Sequence, residues 1–302
     1  MSKWANLLTE QRNPETFDID EKTTLEILRV INEEDKKVAY AVEQTLEDIS
    51  KAVEAVVDSF RRGGRLFYVG AGTSGRLGYL DASECPPTYN ADPSMVQGII
   101  AGGEKALVRS YGKEEDFPEK GAKALIDRGV GKQDTVMGIA ASGATPFVRG
   151  AIEEARSLGA RTIFLTCSPS SAGEVDADVK IVPVVGPEVI TGSTRMKAGT
   201  ATKIVLNMLT TASMIKLGKV YSNLMVDLKP SSQKLRDRTE RILSTLTGVS
   251  AQEAESLLNE AGWNLKTAIV MKQCDLDLDA AEERLRRNDG VVRKALGNTT
   301  FR

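Results

Sequence analysis

The chain has 302 residues, 41% of them hydrophobic and 27% charged, with a formal charge of −2 and a pI near 5.6. That length can bury a sizeable core, so one large domain with a smaller appendage is expected, and the lack of a basic balance argues against nucleic acid as a partner. The complete absence of histidine excludes Ser-His-Asp and Cys-His catalysis and leaves Asp, Glu, Lys, Tyr or Cys to move protons. No apolar run approaches the ~18 residues of a membrane span, and the N-terminus lacks a signal-peptide pattern, so a cytoplasmic protein with no membrane partner is expected. Cys85, Cys167 and Cys274 are widely spaced with no C-x-x-C pair; reduced thiols are expected, and neither a disulfide framework nor a metal site.

The first ~60 residues read as helical, with residues 1–55 an N-terminal segment packing on the core: Leu25, Ile27, Leu28 and Ile31, then Ala41, Val42, Leu46, Ile49, Val53, Val56 and Val57, fall on helical stripes. Gly63-Gly64 stops the second helix. From about residue 56 to 240 the pattern becomes strand, glycine- or hydroxyl-rich loop, helix, repeated: "RLFYVGAGTSG", "MVQGIIAGG", "DTVMGIAASGATPFVRGAIEEARSLG", "RTIFLTCSPSS" and "VKIVPVV". Strands alternating with helices predict an α/β fold, a parallel, doubly wound sheet whose ligands bind at the carboxyl ends of its strands. The stretch "PEVITGSTRMKAGTATKIVLNMLTTASMIKLG" reads as a long helix by its periodicity. Residues 241–302 read as a small all-helical domain of three or four short helices, with Ser250 and Glu253 as a capping box and Gly262 as a helix stop.

Gly70, Gly72 and Gly75 have the G-x-G-x-x-G spacing of a dinucleotide loop. Asp92, however, precedes the next strand instead of ending it, where a ribose-binding carboxylate belongs. Thr73 and Ser74 in one loop, and Ser142, Gly143 and Thr145 in another, each open a helix after a strand. Free N–H groups, the positive end of a helix dipole and hydroxyl donors suit a compact phosphate, although either loop alone is equally an N-capped helix start. In "TGSTRMKAGTATK", Arg195 and Lys197 among Ser193, Thr194 and Thr200 read either as a solvated basic helix start or as an anion-binding or subunit-contacting loop. Two carboxylate positions stand out. Glu84 closes the helix begun by Thr73 and Ser74, with Pro86-Pro87 expected to end it; the negative end of the dipole there would favour a protonated acid. Ten residues of straight helix place it ~15 Å from Ser74. Either the helix ends early, or Glu84 serves a neighbouring protomer. In Glu114-Glu115-Asp116, spacing alone singles out no member.

Together, "GAGTSGRLGYLDASECPPTY", "GIAASGATPFV", "GPEVITGSTRMKAGTATKIVLNML" and "SNLMVDL" closely resemble the bacterial N-acetylmuramic acid 6-phosphate etherases over nearly the whole chain. "PEVITGSTRMKAGT" is the most specific segment, shared mainly with these etherases and the glucokinase regulatory protein. The loops alone resemble the wider sugar-isomerase (SIS) family. The resemblance implies an SIS-type sheet domain acting as an etherase on a phosphosugar without a cofactor, by elimination across C2–C3 and water addition, in cell-wall recycling. It implies Glu84 as acid and Glu115 as C2 base, with Glu114 as the fallback. It also implies Thr73, Ser74, Ser142 and Thr145 on the 6-phosphate, Gly72, Lys234 and Arg238 as lesser contacts, and a homodimer with sites at or near the interface. Two alternatives are a non-catalytic phosphosugar-sensing regulator and a sugar-phosphate isomerase of the same fold.

Overall fold

The computed structural model describes residues 7–109, 112–230 and 232–297. Contacts divide the chain into two compact units, residues 1–83 with 93–211, and residues 84–92 with 212–302.

In the first unit, α1 (Thr24–Glu43) starts with a reciprocal Thr23/Glu26 capping box. Its apolar stripe divides: Val38 and Val42 are buried, whereas Leu25 and Leu28 are each 56% exposed. α2 (Leu46–Arg61) buries the expected face, Ile49, Val53, Val56, Val57 and Phe60. Then come β1 (Leu66–Gly70), α3 (Gly72–Tyr89), β2 (Val96–Ile100), α4 (Lys105–Val108), a single 3₁₀ turn (Glu114–Asp116) and α5 (Pro118–Ile126). β3 (Thr135–Ile139), α6 (Pro146–Ser157), β4 (Arg161–Leu165), α7 (Pro169–Glu174), β5 (Val179–Ile181) and α8 (Lys197–Lys216) complete the alternation. All five strands are parallel, in the order β2-β1-β3-β4-β5. β5 is shorter than the apolar run "VKIVPVV", whose proline has no N–H for a ladder.

Helices cover both sheet faces, as a doubly wound α/β fold requires. Phe67, Val69, Val136 and Phe164 form one core with Val148 and Ile152 of α6. On the other face α3 packs so closely that a Cβ on Gly78 would lie 2.8 Å from Cβ of Tyr68. Buried strands covered on both sides explain the near-continuous apolar runs in the sequence. The chain leaves β1 for β2 on one side and returns to β3 on the other, so the topological switch point lies between β1 and β3.

α3 corrects the sequence reading. It runs unbroken through Pro86 and Pro87 to Tyr89, so Glu84 lies inside the helix, and the argument from the dipole's last turn lapses. Proline's φ is already helical, so the chain continues, although each ring forfeits its own nitrogen's hydrogen bond and crowds the carbonyl four residues earlier.

The second unit has its own core, centred on Leu243, Leu258, Ala268, Ile269 and Val270. It comprises a two-residue hairpin, β6 (Val220–Tyr221) with β7 (Leu224–Met225), which the sequence did not reveal, and α9 (Gln233–Thr247), α10 (Ala251–Glu260), α11 (Leu265–Cys274), α12 (Leu278–Arg287) and α13 (Val292–Leu296). Ser250 caps α10, its hydroxyl accepting from the Glu253 N–H at 3.2 Å, and Gly262 adopts φ +57° just beyond that helix. No helix among the described residues is long and apolar enough to cross a membrane.

Candidate functional site

The switch point holds a cavity of about 320 Å³ in the first unit. Three groups of residues bring the expected side chains into it. From the β1–α3 junction come Gly72, Thr73 and Ser74; from the β3–α6 junction come Ser142 and Thr145; and from the 3₁₀ turn come Glu115 and Asp116.

Each group is placed by local constraints. Gly72 takes φ +52°, a left-handed turn between strand and helix. Gly70 and Gly75 serve packing: a Cβ on Gly70 would lie 2.6 Å from Gly75 N, and one on Gly75 would lie 2.6 Å from Cγ1 of Ile100. The dinucleotide-like spacing is thus explained by a close strand–helix turn. Thr145 is the N-cap of α6 by position, yet its side chain makes no capping bond, so its hydroxyl is not spent on its own helix. The acidic turn is carried in by α5, which crosses α6 where neither helix has a side chain. A Cβ on Gly121 would meet the Phe147 carbonyl at 1.9 Å, and one on Gly150 the Pro118 carbonyl at 2.2 Å.

The structure separates the three adjacent acids that spacing left equivalent. Glu114 is ion-paired to Lys120 at 2.6 Å and lines a different cavity with Tyr79 and Arg128. Glu115 has no ion pair among the described residues and is half-buried at the switch-point cavity. Burial pushes its carboxyl above the ordinary value of 4.5, and the neighbouring Asp116 charge adds to that. A carboxylate so shifted is a stronger base, closer to the pH at which it would work.

Thr194 also lines the cavity; the sequence placed it in a segment that could be an anion-binding loop but did not single it out as a site residue. Lys197, three residues on, turns out to be neither solvated nor free for an anion. It is 1% exposed, and its Nζ donates to Glu34 Oε2 on α1 at 2.5 Å. Glu34 also accepts from Asn13 Nδ2 at 2.8 Å and from Lys37. Glu188 caps the start of α8, accepting from the N–H groups of Lys197 at 2.9 Å and Ala198 at 3.0 Å. The segment that ends in Thr194 is therefore anchored by buried charge.

Glu84, Lys234 and Arg238 are not among the residues lining this cavity. All three belong to the second unit. Glu84 and Lys234 are exposed, Arg238 half-buried, and the last two share one face of α9. Among the described residues no group of three His, Cys, Asp or Glu is arranged to hold a metal ion.

The parallel sheet with a hydroxyl-lined cavity at its switch point is of the SIS type, and the family model for the glucokinase regulatory protein N-terminal SIS domain matches residues 48–156. A phosphoheptose isomerase structure from Neisseria gonorrhoeae aligns with 63% of this chain and 98% of its own, at 18% identity and a TM-score of 0.49. The N-acetylmuramic acid 6-phosphate etherase of Salinibacter ruber is 56% identical over 292 residues, 96% of this chain and 94% of that protein. That of Mesorhizobium japonicum is 52% identical over 300 residues, 99% and 98% of the two chains. The chain belongs to the N-acetylmuramic acid 6-phosphate etherase family.

Proposed function

We propose that this enzyme cleaves the D-lactyl ether of N-acetylmuramic acid 6-phosphate, giving N-acetylglucosamine 6-phosphate and D-lactate. The observation that carries it is the pairing, in one cavity, of four phosphate-suited hydroxyls with Glu115, a carboxylate raised by burial and making no ion pair among the described residues. Thr73, Ser74, Ser142 and Thr145 hold the 6-phosphate, and Glu115 takes the C2 proton. That proton is acidic only beside a carbonyl, so the sugar reacts as its open-chain aldehyde. As the C2 electrons form the C2=C3 bond, the C3–O bond breaks and Glu84 protonates the departing lactate oxygen. Water then adds at C3 and a proton returns to C2.

Running the reaction in heavy-oxygen water and, separately, in deuterated water tests this. Lactate release with heavy oxygen at C3 and deuterium at C2 is expected. Intact substrate in the presence of folded protein sinks the proposal.

The acid role of Glu84 rests on its "SECPP" segment. Because α3 is unbroken, an early helix end no longer accounts for its ~15 Å separation from Ser74 along the helix. We assign Glu84 to the site of a second copy in a homodimer. Support comes from the uncovered apolar residues of α1, where Leu25, Leu28 and Tyr40 are 56%, 56% and 70% exposed. Mixing and reassembling two inactive variants, Glu84→Gln and Glu115→Gln, should restore roughly a quarter of the wild-type rate, because half the dimers are mixed and each has one intact site. No recovery in dimers shown to be mixed refutes the shared site. Cys85, Cys167 and Cys274 form no disulfide among the described residues, which suits the reducing cytoplasm, where we place the enzyme.

A further inference from the structure

A phosphate loop must keep its carbonyls away from the ligand as well as bring N–H groups and hydroxyls toward it, because a carbonyl dipole facing a dianion repels it. In the β3–α6 loop three successive carbonyls are each occupied by a donor from elsewhere. Ala141 O accepts from Cys167 N at 2.9 Å and from Thr166 Oγ1 at 3.2 Å. Ser142 O accepts from Ser171 Oγ at 2.7 Å, and Gly143 O from Arg149 Nε at 3.0 Å. None of these donors lines the cavity that Ala141 and Ser142 line, so each carbonyl is turned to a partner outside it. The fit is close. Gly143 takes φ +72°, and a Cβ there would lie 2.3 Å from Cβ of Ser171 and 2.9 Å from Oγ1 of Thr166. Thr166 and Ser171 are 0% and 3% exposed, and Arg149 is held in turn by Glu174 at 2.8 Å.

We propose that Thr166, Ser171 and Arg149 are positioning residues that clamp the loop at 141–143 from behind, fixing its carbonyls outward so that Ser142 and Thr145 present only donors to the phosphate. This rests on the cavity being the phosphosugar site. The clamp touches no substrate atom, so its loss should weaken phosphate binding and leave the chemical step largely intact.

The test compares Ser171→Ala, Arg149→Met, and the pair Thr166→Val and Thr166→Ser, of which only the serine keeps the hydroxyl donor. Calorimetric affinity for N-acetylglucosamine 6-phosphate and for inorganic phosphate is measured beside KM, kcat and Tm. Ser171→Ala, Arg149→Met and Thr166→Val should each raise KM and both dissociation constants about ten-fold, the worth of one hydrogen bond, with kcat within roughly two-fold of wild type. Thr166→Ser should bind as wild type does. Unchanged phosphate affinity in folded variants, or a fall in kcat at constant KM, overturns the clamp. If Ser171→Ala fails to fold, the Thr166 pair decides. A wild-type chain that binds phosphate and shows these losses but releases no lactate would sink the etherase reaction and leave the clamp standing. Lactate release with variants unaffected in phosphate affinity would do the reverse, and a wild-type chain that binds neither phosphate ligand overturns the clamp.

Discussion

Glu115→Gln should reduce lactate release by about 10²–10⁴-fold, the range a positioned general base contributes, while folding and phosphosugar binding persist. The amide is nearly isosteric and has no basic oxygen able to take the C2 proton. Because Glu115 is half-buried at the cavity and makes no ion pair among the described residues, removing its charge orphans no cation. Deuterium incorporation at C2 should fall together with lactate release, since proton removal precedes loss of the leaving group. The neighbouring Glu114→Gln serves as the comparison. That side chain is spent on Lys120, in an ion pair worth about 0–1 kcal/mol at this exposure, and its loss should change the rate little. If Glu114→Gln inactivates and Glu115→Gln does not, the assignment of the base is wrong. The raised carboxyl of Glu115 adds a pH signature: activity should decline on acidification at a higher pH than an ordinary glutamate would give, because protonated Glu115 is no base.

Lys197→Met should destabilise the protein by about 3–5 kcal/mol, the cost of leaving one member of a buried ion pair uncompensated. Met nearly preserves the volume, so the loss reports the charge rather than a cavity. Burial pushes the Glu34 carboxyl up, but hydrogen bonds from Lys197, Lys37 and Asn13 outweigh it and hold the pKa at about 2, against an ordinary 4.5. With the folded value depressed, the pair's contribution is fully present above about pH 4.5 and is lost as pH falls toward 2. That gap corresponds to about 3 kcal/mol. In Lys197→Met the acid-unfolding midpoint should therefore move to higher pH, and adding Glu34→Gln should recover part of the stability. Urea unfolding followed by circular dichroism measures both effects. A loss below about 1 kcal/mol would show that the pair is dispensable. Because Lys197 opens α8 three residues after Thr194, substrate affinity should weaken in the same variant.

How far the site could be read from the sequence depended on how local its causes are. Thr73, Ser74, Ser142 and Thr145 were legible because a strand, a glycine turn and a hydroxylated helix start are contiguous, and the parallel topology brings two such junctions together without further information. Spacing left Glu115 as one of three acids, and only the family resemblance pointed to it. What sets it apart from Glu114 is that Glu114 meets Lys120 in the first turn of α5, and that α5 meets α6 through Gly121 and Gly150. Neither reading of Lys197, solvated cation or anion ligand, foresaw an internal ion pair, because its partner Glu34 lies 163 positions away. The proline pair after Glu84 misled for a different reason: local propensity disfavours a helix there, and the fold carries α3 through it to Tyr89.

The sequence by itself determined the parallel α/β sheet, the helical C-terminal unit, the hydroxyl-bearing loops at two strand ends and the absence of histidine. Each follows from periodicity, turn chemistry or composition, which act over a few residues at a time. Only the tertiary structure decided that Glu115 and Asp116 face the cavity while Glu114 does not, that Thr194 joins it, that Lys197 is an internal anchor and that the carbonyls at 141–143 are turned outward. Those outcomes depend on pairings between distant segments, whose energies arise from burial and charge compensation that no local pattern records.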